Sequence, residues 1–125
     1  MKYLCLVYAD EANVAALPRS EWDAVVVENL ELCEELRRSG HFVSAAPLAP
    51  VRTAATVRVR NGKLSTTDGP FAETKEQLGG YYLIEARDLN EAIQVAGRIP
   101  GARWGSVEVR RLRVHDPREP WSRDE

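Results

Sequence analysis

Two kinds of apolar pattern alternate along the chain. Residues 3–8 are continuously apolar and rich in β-formers, which predicts a strand covered on both faces. After Pro18 and Ser20, the positions Trp22, Val25, Val26, Leu30, Cys33 and Leu36 recur at three- and four-residue spacing, with Glu28, Glu31, Glu34 and Glu35 mostly opposite. That period predicts an amphipathic helix. Ser20 is its expected N-cap, with Asp23 three residues on, and Arg37, Arg38 and Gly40 supply the cations and C′ glycine of its end.

Phe42 to Ala45 reads as a short strand leading into a loop at Pro47 and Pro50, since proline removes ladder donors. A hairpin follows. Thr56, Arg58 and Arg60 alternate with Val57 and Val59, Asn61-Gly62 provides two positive-φ residues for a type I′ turn, and Lys63 to Thr67 returns. Tyr81-Tyr82-Leu83-Ile84 then predicts another strand. Asp88 and Glu91 form a capping-box variant before a second helix whose expected buried stripe is Leu89, Ala92, Ile93, Val95, Ala96 and Ile99, with Pro100-Gly101 as its stop. Ser106 to Val114 is the last expected strand, its apolar phase slipping near Arg110-Arg111 as a bulge would cause. Residues 116–125 read as a tail after a domain spanning 1–115.

Strand, helix, hairpin, strand, helix, strand is the order of split β-α-β units, so the expected fold is an α+β ferredoxin-like sandwich. Its sheet is mostly antiparallel, with both helices on one face. The other face then needs a cover, and the chain has no further helix to provide it. A second copy of the sheet is the economical cover, so a homodimer is expected.

Composition narrows the function classes. The chain has 125 residues and a formal net charge of -2, too balanced to nominate nucleic acid or an anionic membrane as partner. The apolar N-terminal run is too short for a membrane span or signal peptide, and Cys5 and Cys33 read as buried free thiols; both point to a cytoplasmic protein. His41, after Gly40, is expected to favour the helix end electrostatically, and His115 to be solvated. Two distant histidines without ligand-spaced partners offer no metal site, and no phosphate-cradling loop or nucleophile elbow indicates a cofactor or acyl transfer.

The segment Thr67-Asp68-Gly69-Pro70-Phe71-Ala72-Glu73-Thr74-Lys75-Glu76, followed by Leu78-Gly79-Gly80-Tyr81-Tyr82, resembles the DGPF branch of the YCII-related family. Gly105 to Arg110 does so too, and the resemblance runs from residue 1 to about residue 113. It implies the dimeric α/β-barrel form of the ferredoxin-like fold, but no single activity, because the family mixes enzymes with proteins of no established function. Some relatives are similar to lactone isomerases and dehydrochlorinases that use a His and Asp pair. Here the matching places read Pro18-Arg19-Ser20-Glu21-Trp22 and Arg98-Ile99, so neither residue of that pair is present; the usual Arg-Pro near the end reads Arg110-Arg111.

The site candidates gather around Asp68. Two roles fit it: its carboxylate caps the amides of an Asx-type turn, or it acts as a general base or hydroxyl acceptor in a cleft between helices and sheet. Glu73, Lys75 and Glu76 are a mixed charge run of a solvated loop, or else Glu73 and Lys75 hold the loop over a pocket, Lys75 meeting an anionic group. Phe71 is expected to anchor the loop. Arg110 would stabilise negative charge or join Glu108 in an interface pair. Tyr81 and Tyr82 must face opposite sides, and Tyr82 is carried as a ligand contact. Three readings result: a dimer binding a small polar ligand near the DGPF loop, a cofactor-independent isomerase or lyase using Asp68, or a noncatalytic regulatory protein, since DGPF relatives are often encoded beside alternative sigma factors.

Overall fold

In a computed structural model, which describes residues 1–114, the apolar N-terminal run forms β1 (Lys2–Ala9) and the periodic segment forms the long helix α2 (Arg19–Arg38). Between them lies a single turn of helix, α1 (Glu11–Ala15), capped by the Asp10 carboxylate on the Ala12 amide. Strand β2 (Phe42–Pro47) leads through a 3-10 turn at Val51–Thr53 into β3 (Ala55–Arg60) and β4 (Lys63–Asp68). Strand β5 (Gln77–Glu85), helix α3 (Leu89–Ala96), a 3-10 turn at Pro100–Arg103 and β6 (Ser106–Arg111) complete the order. The expected tail and His115 lie outside the described residues.

Four strands pair antiparallel in the order β2-β5-β1-β6. Each helix thus links two strands separated by one other, which is the interleaved β-α-β arrangement of a ferredoxin-like α+β fold. Alternation sends Tyr3 and Cys5 of β1 and Tyr82 and Ile84 of β5 to the helix side, where they meet Leu32 and Leu36 of α2 and Ala92, Val95 and Ala96 of α3. Cys5, Leu36 and Ile84 are fully buried. Burial of such side chains stabilises by about 1.5–3 kcal/mol each, so this layer holds the fold. Gly105 permits the close start of β6: a Cβ there would lie 2.0 Å from the Tyr8 carbonyl oxygen.

Several expectations change. Helix α2 begins two residues earlier than a Ser20 cap allows, because Pro18 holds the N-cap with its φ preset and no side-chain bond. Its core stripe is Val25, Asn29, Leu32, Cys33 and Leu36, while Trp22, Val26 and Leu30 stay exposed. The second helix stops at Ala96 rather than Ile99, and Leu89 and Ile93 are exposed, although Asp88 caps it as expected by accepting from the Glu91 amide. No bulge interrupts β6 against β1: the register runs unbroken from Tyr3 opposite Arg111 to Tyr8 opposite Ser106, and the strand simply ends at Arg111. The shifts fall instead at Val7/Tyr8 and Phe42/Ser44. The hairpin has its type I′ turn, with Asn61 at φ 52° and Gly62 at φ 74°, but β3 and β4 form a separate two-stranded sheet and add nothing to the main one.

Candidate functional site

The DGPF segment is the return path from the β3–β4 arm to the main sheet, and both ends of that path are pinned. At the arm's base the ladder closes with Ala55 opposite Asp68. The Gly69 amide then donates to the Ala54 carbonyl at 2.8 Å, and the Thr56 hydroxyl donates to the Gly69 carbonyl at 2.9 Å. Gly69 has φ 103°, which a side chain would strain, so glycine is required for the exit from the arm. At the far end Thr74 donates to the Glu76 carbonyl at 2.6 Å, and Ser106 at the start of β6 donates to the Glu76 carboxylate at 2.7 Å. The segment entering the arm is held as well, by the Val51 amide on the Glu11 carboxylate at 3.0 Å.

Between these pins the charged side chains are free. Asp68, Glu73 and Lys75 are exposed, and none has a hydrogen bond or ion pair among the described residues. The Asx-turn geometry is absent at Gly69, whose amide is taken by the Ala54 carbonyl rather than by Asp68. Phe71 is not a buried anchor: it is 81% exposed, its ring facing the Arg58 guanidinium at 5.8 Å.

Arg110 and Tyr82 lie elsewhere. Arg110 ion-pairs with Glu108 on the outer face of β6, four residues from Ser106 and so about 13 Å from the loop's end at the usual strand rise. Tyr82 points into the core, where its phenol donates to the Asn29 side-chain carbonyl, and the Asn29 amide nitrogen donates back to the Val25 carbonyl. Burial and the adjacent Cys33 thiol push the Tyr82 phenol upward. The structure therefore groups Asp68, Glu73 and Lys75 on one segment and separates Tyr82 and Arg110 by the thickness of the sheet.

That sheet's outer face carries Leu4, Leu6, Tyr81, Leu83 and Ala46, by register with one another, and its Ser44 hydroxyl bonds the Tyr81 phenol at 2.9 Å. The buried residues of both long helices lie on the opposite face. Electrostatics elsewhere is structural. His41 is bonded by Ser39 at 2.7 Å and Glu91 at 3.1 Å, tying the end of α2 to the start of α3. The Arg87 amide, ahead of His41, holds the Glu91 carboxyl below its usual range. Arg103 grips Glu28 with two hydrogen bonds and lowers it likewise. Among the described residues no three His, Cys, Asp or Glu side chains gather as metal ligands, and no helix is long and apolar enough to cross a membrane.

Glu76, expected in a solvated charge run, is instead bonded by Ser106, and the roles of Ser106, Glu11 and Asn29 leave less mark in the sequence. Asn29 did leave a trace, since it stands four residues after Val25 on the buried side of α2, where an unpaired amide would be costly. The other three meet their partners only through tertiary register.

The profile of the YCII-related domain matches residues 1–118 of this chain. An uncharacterized protein of Rhizobium meliloti (strain 1021) is 38% identical over 121 residues, an alignment that spans 95% of this chain and 98% of that one. A family match across nearly the whole length, a relative aligned end to end and the β2-β5-β1-β6 sheet agree: the chain belongs to the YCII-related family.

Proposed function

We propose that the chain is one half of a homodimer that binds a small polar ligand against the loop at residues 68–76. The observation that carries this is the set of three charged side chains, Asp68, Glu73 and Lys75, which have no partners among the described residues and stand on a segment pinned at both ends. Free charges cost nothing to redirect, and a pinned loop loses little entropy on binding. Lys75 suits an anionic group of the ligand and Asp68 a hydroxyl. The half-buried apolar outer face supports the dimer, because packing it on its own copy removes it from water.

Binding is favoured over catalysis by one feature. The Asp68 carboxylate stands in water, and a general base gains from a site that excludes it. The isomerase or lyase reading therefore requires the second subunit to enclose this carboxylate.

A thermal-shift screen of anionic and hydroxylated metabolites on the wild type, Asp68→Ala and Lys75→Ala tests the site. A ligand at 100 times its Kd stabilises the native state by about 2.7 kcal/mol, and that gain is expected to shrink in both variants. Equal stabilisation of all three chains removes the loop as the site. Light scattering tests the dimer, and a mass of 14.0 kDa at micromolar concentration rejects it.

A further inference from the structure

The near balance of charge in the whole chain hides an uneven distribution. From Val51 to Thr67 the chain carries Arg52, Arg58, Arg60 and Lys63 and no acidic residue, so everything else in it is four charges more acidic than its total of -2. The register of the β3–β4 arm puts three of these cations on one face. Thr56 stands opposite Thr67, Arg58 opposite Ser65 and Arg60 opposite Lys63, while Val57, Val59 and Leu64 take the reverse face.

These cations are not neutralised as the others are. Among the described residues Arg37, Arg87, Arg98, Arg103 and Arg110 each meet a carboxylate. Arg52, Arg58, Arg60 and Lys63 meet none: Arg60 reaches only the Val59 carbonyl, and Arg58 only the ring of Phe71. That ring is an independent feature of the same face. The Thr56 hydroxyl on the Gly69 carbonyl draws the return segment across it, bringing Phe71 to 5.8 Å from the Arg58 guanidinium and leaving the ring 81% exposed. A phenyl ring standing in water beside cations offers its face to another planar ring.

Arg58 and Arg60 repeat at about 6.8 Å along β3, so the row suits a chain of anionic groups. Phe71 decides which chain. An acidic peptide uses the cations and leaves the ring idle, and a duplex keeps its base faces inside its own stack. A single strand presents phosphates and base faces together. We infer that the polar face of the β3–β4 arm binds single-stranded nucleic acid, with phosphates on Arg58, Arg60 and Lys63 and a base stacked on Phe71. The Thr67 hydroxyl, exposed and without a bond among the described residues, is a further donor to a phosphate oxygen. The acidic remainder of the chain repels the strand and confines the contact to the arm. This surface shares only Phe71 with the loop at residues 68–76 and stands without the ligand or the dimer proposed above.

The test is fluorescence anisotropy of a labelled oligothymidylate of about twelve nucleotides titrated with the full chain. At about 0.05 M salt a Kd of about 0.1 mM or tighter is expected, and weaker binding overturns the proposal. The logarithm of the association constant is expected to fall with that of salt at a slope of about -2, from three phosphate contacts at about 0.7 each, and Arg58→Ala, Arg60→Ala and Lys63→Ala each to flatten it by about 0.7. Slopes unchanged in all three variants overturn the arm as the site. Arg19→Ala with Arg38→Ala, on the exposed side of α2, is expected to leave the Kd within about twofold; a loss equal to that of the arm variants overturns the assignment to one face. Phe71→Ala is expected to weaken binding about fivefold or more at an unchanged slope, and an unchanged Kd removes the stacked base and with it the proposal. Oligoglutamate and a duplex of matching length are the competitors. Either one displacing the probe as well as unlabelled oligothymidylate overturns the choice of a single strand.

Discussion

Strand β5 of the main sheet and strand β3 of the arm both carry apolar side chains at alternate positions, yet these meet opposite surroundings. In β5, Tyr82 and Ile84 alternate with Tyr81 and Leu83, and the first pair is sealed beneath two helices. In β3, Val57 and Val59 alternate with Thr56 and Arg58 just as regularly, and the valines remain more than half exposed. Strand β5 is paired along both edges, by β1 and β2, and β3 along one, by β4. The difference lies also in what each strand face meets, so stability resides in the sheet and helices, and the exposed arm contributes little to it. Truncation in each region separates their contributions to stability. Ile84→Ala, at a site with no exposure, is expected to cost about 3–4 kcal/mol of unfolding free energy in urea titration. Leu64→Ala, measured at a dilution where the chain is monomeric, is expected to stay within about 0.5 kcal/mol of the wild type. A comparable loss at Leu64 would make the arm part of the core.

A pH titration sharpens the contrast, because the groups that burial shifts sit in the core. Burial pushes the Cys5 thiol from its ordinary 9.0 up to about 11. The native state therefore keeps this proton where the unfolded chain has released it. The resulting stability is fully present below pH 9 and is lost as pH rises through about 11. The loss expected is roughly 2–3 kcal/mol. The buried Tyr82 phenol, also shifted up, extends the decline to higher pH. Urea midpoints at pH 7, 9, 10 and 11 check this, with Cys5→Ala as the control. That variant is expected to be less stable at pH 7 and to fall less steeply between pH 9 and 11. Identical slopes would mean that the thiol is not what the alkaline limit reports.

Local chemistry explains which parts of this architecture are legible in the sequence. Asn61-Gly62 admits one turn, Asp88 with Glu91 marks one helix start, and the run at residues 81–84 has a strand's length and composition; all three depend on neighbours in the chain. The order of elements then leads to the ferredoxin-like sheet. Periodicity fails where two faces of one element are both apolar. Helix α2 offers Val25-Leu32-Leu36 and Trp22-Val26-Leu30, and only the sheet's position decides that the first is buried. The apparent phase slip at Arg110-Arg111 has a similar origin, since β6 ends there and Leu112 bonds the Lys2 carbonyl without continuing the strand. For the site, Asp68, Glu73 and Lys75 can be picked out because they share one short motif. Adjacent tyrosines must face opposite ways, but which one enters the core depends on the register of β5 against β1 and α2, and it is Tyr82.

The smallest effect tests how the loop hangs between the two regions. The Ser106 hydroxyl on the Glu76 carboxylate is exposed, and such a bond contributes about 0.5–1.5 kcal/mol where it forms. Its role here is local, because Glu76 immediately precedes β5 while Ser106 begins β6, so the bond fastens the loop's end to the sheet. In Ser106→Ala, amide exchange across residues 70–76 is expected to quicken about three- to tenfold, while protection at residues 81–84 and the urea midpoint stay unchanged. If the loop amides keep their rates, the bond does not hold the loop. A fall in the midpoint would instead join the loop to the sheet as one cooperative unit, and its charged residues would then titrate and bind as parts of the core rather than as an attachment to it.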